Sequence, residues 1–533
     1  MSLSWIEHLV IAPILLPLLC GALLLAINET RHNLKFCLNA AALLAQLAVA
    51  IALLITVDGG YWQQGVAVYL SGNWAAPFGI ALVADRLSAL MLVLTAVLAS
   101  CALIYGMMRW TRVGVHFHSL FQFLLMGLNG AFLTHDLFNL FVFFEVMLAA
   151  SYGLLLHGYN LTRIRAGMQF IAVNLVAALM FLIGLALVYA AAGTLNMADL
   201  AVRLPALEAG DLDLFRLGAG VLAIAFLIKS AMWPLGFWLP TTYGAASPPV
   251  AAMLVLMTKV GVYVILRLWL LLFSDDANPL RGFGASVLWW GGMVTIAFGG
   301  FGMLASNSQG QLAAYGAILS SGTLLAIIGL ADPNLIGAAL FYLVSSTLGM
   351  AGFMLLIELI ERSHNPLQAM LAVTRQAFEY EEVPEQPVGV GIPAGMAFLG
   401  LCFAGCSLII AGLPPLSGFV AKFSLFHQLL SGPMAGTGVA FMAAVLLAGM
   451  AATIALMRFG VRTFWASGTI SARLHVSEGA SVLVLLALGL ALTVQAGAVF
   501  GYLERSSADL QRPELYIQRV LGEPVVPPPA GGD

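Results

Sequence analysis

About fourteen apolar stretches, each near 20 residues long, recur along this chain, and a stretch of that length crosses a bilayer as one helix. They fall at about 9–27, 34–56, 82–108, 115–134, 137–157, 166–192, 216–238, 249–272, 285–305, 311–330, 335–358, 395–430, 437–464 and 480–503. Composition closes off the soluble alternative. Hydrophobic residues make up 61% of the 533 and charged ones 9%, with mean hydropathy +0.98, against roughly 25% charged in soluble domains. So few polar groups cannot wet the surface of a water-soluble fold. The expected fold is an all-α integral membrane domain over residues 1–505, followed by a tail at 506–533 that is disordered from Pro524 onward.

The net charge of −3 comes without a basic stripe for nucleic acid. Cys20, Cys37, Cys101, Cys402 and Cys406 lie mostly in apolar runs without His or Cys partners at metal spacing, so they read as small buried hydrophobes. The first apolar run follows Glu7 and His8, and Leu19 before Cys20 is not the small residue that lipoprotein processing needs, so it reads as a retained span. Orientation follows the basic residues. Odd-numbered loops and adjoining helix ends hold Arg31, Lys35, Arg109, Arg112, Arg163, Arg165, Arg362, Arg375, Arg458, Arg462 and Arg473. Even loops hold Arg86, Arg203, Arg216, Arg267 and Arg281. Odd loops are therefore expected in the cytoplasm and both termini outside. A polar linker at 361–393, with Glu379, Glu381, Glu382 and Glu385, is expected to carry a short interfacial helix at Leu367–Phe378.

Two stretches echo one another. WPLGF (Trp233–Phe237) lies in the seventh and PPLSGF (Pro414–Phe419) in the twelfth, each with a lysine close by. Pro234, Pro240, Pro414 and Pro415 remove amide donors and break the helical ladder. Broken backbone at membrane depth is tolerated where protein or a water-filled cavity satisfies it, and paired breaks in two halves point to an ion path.

Three of the four lysines lie inside apolar stretches: Lys229, Lys259 and Lys422. A cation at a helix centre costs about 2.5–3.5 kcal/mol on insertion scales. Lysine, unlike arginine, gives up its proton readily when desolvated, which a proton relay requires. The alternatives for each are a snorkelling side chain or a static ion pair. Glu145 follows Phe138, Phe141, Phe143 and Phe144 in the fifth stretch, about 13 Å along the helix from Asp136. An isolated carboxylate there needs a partner or a proton, and Lys229 is the candidate. Asp136 and His135 suit either an accessory or a helix-capping role, and His427, five past Lys422, either extends the relay or is a satisfied buried imidazole. Glu358 and Arg362 read as a surface i, i+4 pair, Asp85 and Arg86 as a helix start, and 285–330, without any ionisable Asp, Glu, Lys, Arg or His, as scaffold or lining. No phosphate loop, metal cluster or nucleophile with a local base appears, so no catalytic residue, metal or cofactor is expected.

The strings AFLIKSAMWPLGFWLP, SPPVAAMLVLMTKVGVYVILR, GLPPLSGFVAKF and DLFNLFVFFEVMLAASYGLL resemble the antiporter-like subunits shared by multisubunit cation/proton antiporters and respiratory complex I, and most closely the D subunit of the Mrp type (also called Pha or Mnh). The resemblance spans about residues 80–465. It implies fourteen helices with two inverted five-helix repeats, at about 115–272 and 285–464, with helices 7 and 12 broken. It also implies proton transfer by Glu145, Lys229, Lys259 and Lys422, partner subunits, Na+ or K+ as the exchanged cation, and a bacterial inner membrane. Two departures stand out. Ser345, Ser346 and Thr347 occupy the eleventh helix where many relatives carry histidine, and Gln309 and Gln311 stand where basic residues are frequent. Hydroxyls relay through water without titrating near neutral pH. Three readings stay open: an antiporter subunit, a proton-translocating subunit of a complex I-like or hydrogenase-type redox complex, and a structural subunit whose charges hold helices together.

Overall fold

The computed structural model describes residues 5–158, 160–274, 278–363, 394–432, 436–464 and 474–525. The expected interfacial helix at Leu367–Phe378, the four linker glutamates, Arg375, Arg473 and the tail from residue 526 lie outside the described residues. Helices α1 (Ala12–Ala26), α2 (His32–Asp58), α3 (Arg86–Gly106), α4 (Phe117–Leu133), α5 (Leu137–Leu156) and α6 (Leu161–Ala192) come first. A short α7 (Met197–Arg203) leads to α8 (Ala209–Lys229), the seven-residue α9 (Leu239–Ala245) and α10 (Pro248–Leu272). Then come α11 (Ala285–Ala305), α12 (Gln309–Leu330), α13 (Leu335–Ser363), α14 (Ala394–Ala411), α15 (Ser417–Ser431), α16 (Gly436–Phe464) and α17 (Val476–Val494). Last are α18 (Ala496–Leu510) and α19 (Pro513–Leu521). Eleven of these helices are long and apolar enough to cross a membrane, and α1 and α4 are shorter apolar ones. The protein is a multi-pass integral membrane protein.

Local chemistry sets the helix ends. The third stretch, expected from residue 82, begins as a strand: β1 (Ala67–Leu70) pairs antiparallel with β2 (Ala81–Ala84). The helix waits for Asp85, whose Oδ1 accepts the Ser88 amide at 2.8 Å while Ser88 Oγ accepts the Asp85 amide at 2.8 Å, a reciprocal cap that satisfies two orphan donors. Asp136 caps α5 in the same sense, accepting from the Asn139 amide at 2.8 Å. The fourteenth stretch divides at Gln495, and the chain beyond residue 506 continues in α18 and α19.

Every residue of α10 is buried. It packs against α3, α8, α12 and α13, and α13 in turn packs against α14, α15 and α17. Charged clusters fasten the two ends of this core. At one end Arg267 Nη2 meets both Asp85 oxygens at 2.8 and 2.7 Å, Arg86 pairs with Asp58 and Asp509, and the Tyr516 ring of α19 lies 5.1 Å from that of His135. At the other end Glu358 accepts from Tyr105 Oη and Trp110 Nε1, each at 2.9 Å, and from Arg109 Nη1 at 3.0 Å. The expected surface pair of Glu358 and Arg362 is thus corrected. Glu358 is buried because α3 and the turn after it cover that face of α13, while Arg362, 3.7 Å away, turns to the buried Glu478 at 2.8 Å.

Candidate functional site

The two broken helices end alike. Past α8, the Met232 amide reaches back to the Leu227 carbonyl at 3.0 Å and Ala231 takes a left-handed φ of 56°. Past α14, the Leu413 amide reaches back to the Leu408 carbonyl at 2.9 Å and Gly412 takes φ 76°. Residue for residue, Leu408, Gly412, Leu413 and Pro415 stand where Leu227, Ala231, Met232 and Pro234 do, and the peptides before Pro234 and Pro415 are both cis. A lysine serves each break. Lys229 is the last residue of α8, and Lys422 reaches from α15 to donate to the Ala411 carbonyl, the last of α14, at 2.6 Å. Cations are favoured at such carbonyl-rich ends.

Lys229 Nζ donates to Asn174 Oδ1 of α6 at 2.7 Å. It lies 6.0 Å from the ring of Phe144, whose neighbour Glu145 is half-buried and close enough for the two charges to interact. Glu145 is therefore near Lys229 without being its hydrogen-bond partner. Around Lys229 is a cavity of about 10 Å3, lined also by Asn174, Trp238, Tyr243 and Thr258. Thr258 precedes Lys259, which is 1% exposed near the middle of α10. Lys259 Nζ donates to Ser320 Oγ of α12 at 2.7 Å, and Ser320 Oγ donates to Ser346 Oγ of α13 at 2.9 Å. Beyond lies a second cavity, about 20 Å3, lined by Ser320, Tyr342, Ser345, Ser346 and Lys422. That volume accommodates a water molecule. Ser345 Oγ donates to Ser417 Oγ at 2.8 Å, at the start of the helix that carries Lys422.

Carboxylate, amines, hydroxyls and small cavities therefore follow one another from α5 to α15. Each amine can give or take a proton, each serine can pass one by exchanging donor and acceptor roles, and a cavity water bridges what side chains do not span. A wider cavity of about 450 Å3, lined by Arg109, Arg163, Glu358, Glu361 and Arg362, opens at one end of the core and reaches Tyr243.

Residues 134–451 match the family described as NADH:quinone oxidoreductase/Mrp antiporter, transmembrane. The chain belongs to this family. It is 52% identical to a Rhizobium meliloti (strain 1021) protein named as the probable D subunit of a K(+)/H(+) antiporter, over 98% of this chain and 99% of that one. It is 31% identical to the D subunit of the Na(+)/H(+) antiporter of Alkalihalophilus pseudofirmus, over 97% of this chain and 100% of that one. Its fold superposes with TM-score 0.82, at 26% identity, on a chain of the Mrp complex from Dietzia sp. DQ12-45-1b, covering 98% of this chain and 100% of that one. By these likenesses it is similar over its full length to the D subunits of Mrp-type antiporters.

Within this Mrp-type chain the other expected residues separate. His135 is fully buried, its Nδ1 3.0 Å from the Leu133 carbonyl, and it belongs to the Arg267–Asp85 end of the core along with the capping Asp136. Thr347 Oγ1 donates to the Leu343 carbonyl of its own helix at 2.6 Å. His427 is not the satisfied buried imidazole that was one reading of it. Five residues turn it about 140° around the helix from Lys422, so it is exposed, its ring parallel to Phe423 at 6.3 Å. Asn174, Ser320 and Tyr243 escaped the sequence reading. An amide deep in the sixth stretch was a signal for the first; the hydroxyls carried none that set them apart from ordinary helix-bonded serines and packing tyrosines.

Proposed function

We propose that this chain is the D subunit of a multisubunit monovalent cation/proton antiporter in a bacterial cytoplasmic membrane. Protons pass along Glu145, Lys229, Lys259 and Lys422, and their passage drives cation export through partner subunits. The observation that carries this reading is the succession Lys259–Ser320–Ser346 leading to the cavity beside Lys422, since it joins the two halves without a histidine. Lys229 exchanges its bond to Asn174 for contact with Glu145 as it loads and unloads, so the two groups titrate as a pair. The matching ends of α8 and α14 support two inverted repeats at about 115–272 and 285–464. Gathering of Arg109, Arg163 and Arg362 around the wide cavity supports a cytoplasmic placement of that end, with both termini outside. The higher identity to antiporter subunits, 52% and 31%, favours this reading over the redox complex, and the name of the 52% relative favours potassium.

Lys229→Ala and Glu145→Gln test it. In inverted vesicles carrying the assembled complex, each should abolish K+-dependent proton movement while the partner subunits still co-purify. Full exchange in both variants would return the buried charges to a purely structural role.

A further inference from the structure

The wide polar cavity at one end of the core and the small one around Lys229 share a wall. Tyr243 lines both. The inner space, about 10 Å3, is at the lower edge of what one water molecule needs, whereas the outer one, about 450 Å3, takes many. In this conformation Tyr243 thus stands between Lys229 and the polar chamber.

That ring is held from two sides. The Tyr243 hydroxyl donates to the Leu254 carbonyl of α10, and its ring meets that of Trp238 edge-on, with centroids 6.1 Å apart. It rides on α9, a seven-residue piece between the break after Lys229 and the Ser247–Pro248–Pro249 start of α10. Beside it, Gly244 lets α9 lie against the start of α12. A Cβ on Gly310 there would come within 2.9 Å of the Gly244 Cα. Small residues at such a crossing allow close approach. Arg163 Nε holds the far end of α9 through the Ala245 carbonyl at 2.9 Å. A short element fixed by a few replaceable bonds, at the junction of a wet and a dry space, has the build of a gate.

We propose that Tyr243 is the gate through which water, and with it a proton, passes between the polar chamber and Lys229. The gate is closed in this structure. Opening requires the hydroxyl to leave the Leu254 carbonyl and the ring to swing off Trp238, which merges the two spaces. The three arginines around the chamber put it on the cytoplasmic face, so for protons entering from outside this is the way out. The transport role of the gate rests on Lys229 being a proton carrier; its control of water access does not.

Thiol accessibility tests the gate without needing transport. Thr258→Cys places a thiol in the inner space, in a background where Cys20, Cys37, Cys101, Cys402 and Cys406 are serine. The full complex is then labelled in right-side-out and inverted vesicles with a small, charged, membrane-impermeant methanethiosulfonate. Adding Tyr243→Ala should speed labelling from the cytoplasmic face about tenfold, as expected when a minor open state becomes a large fraction of the population, with no change from the outer face. An unchanged rate, or acceleration from the outer face alone, overturns the proposal. Should Tyr243→Ala fail to assemble, Tyr243→Phe decides, since it keeps the ring and drops the bond to Leu254; a rate equal to that of the parent then rejects the gate. Faster labelling in Tyr243→Ala combined with full exchange in Lys229→Ala would reject the proton-carrier reading and leave the gate standing.

Discussion

Lys229 donates to an uncharged amide, and Asn174 therefore decides how firmly that ammonium is held. A hydrogen bond to a charged group contributes about 1.5–3 kcal/mol. Asn174→Leu should cut cation-dependent proton exchange roughly ten- to hundredfold, at about tenfold per 1.4 kcal/mol, with the complex still assembled. Asn174→Asp should slow turnover for the opposite reason, because a fixed carboxylate 2.7 Å from Nζ traps the proton that Lys229 has to release. Exchange at the parental rate in both variants would remove Asn174 from the path. The serines make a paired comparison. Ser320→Ala removes the only hydroxyl that both accepts from Lys259 and donates onward among the described residues, so exchange should fall roughly tenfold or more, as a hydrogen bond of about 1.5–3 kcal/mol to a charged amine implies. Thr347→Ala, whose hydroxyl serves its own helix, should leave exchange within twofold of the parent, and equal losses in the two variants would dissolve the distinction between path and packing. The lysines were legible because a charge inside an apolar run has no cheap explanation. Asn174 and Ser320 were not, because amides and hydroxyls satisfy themselves within membrane helices at little cost. The exposure of His427 was not legible either, because proximity in sequence does not say which side of a helix a residue occupies.

The helix breaks show the same division among elements. Prolines announced both breaks, since a missing amide and a ring clash leave few other outcomes. The structure beyond them was hidden: α9 is too short for periodicity to register, and the β1–β2 hairpin pairs two four-residue apolar segments, the second of which merges in sequence with the start of the third stretch. Also hidden was the closing geometry, in which Gly412 adopts φ 76° and a Cβ would stand 2.7 Å from Lys422 Nζ. Gly412→Ala therefore meets two penalties, a left-handed backbone costing about 1–2 kcal/mol and displacement of the amine from the Ala411 carbonyl. The expected result is a complex that assembles in lower yield and exchanges more slowly at every pH. Gly438→Ala is the control, because the nearest atom to a Cβ there is 3.4 Å away, at the end of the Leu429 side chain. Parental behaviour of Gly412→Ala would show that Lys422 does not depend on the shape of this turn.

Across the whole molecule, the first and second halves are tied together at the arginine-rich end by the carboxylate of Glu358. Glu358 of α13 receives Tyr105 from the end of α3 and Arg109 and Trp110 from the turn beyond, while Arg362 one turn later carries the tie on to Glu478 of α17. None of these long-range partners could be read from i, i+4 spacing, which is why Glu358 looked like a surface residue in the sequence. The fold class and the order of the spans were legible there, but not what covers each helix face. Glu358→Ala leaves two buried donors and two guanidinium groups without their shared acceptor. Breaking a buried charge cluster from one side costs about 3–5 kcal/mol, enough to matter against the marginal stability of a folded chain. Glu358→Gln keeps one acceptor oxygen and should cost less. Thermal unfolding of the detergent-solubilised complex should rank parent above Glu358→Gln above Glu358→Ala. The wide cavity borders this tie, so the same loosening should raise cytoplasmic-face labelling of Thr258→Cys less than Tyr243→Ala does, because Tyr243 itself still bars the inner space. If Glu358→Ala unfolds at the parental temperature, the halves are held by apolar packing of α10 and α13 alone, and the charge cluster is a product of that packing instead of its fastening.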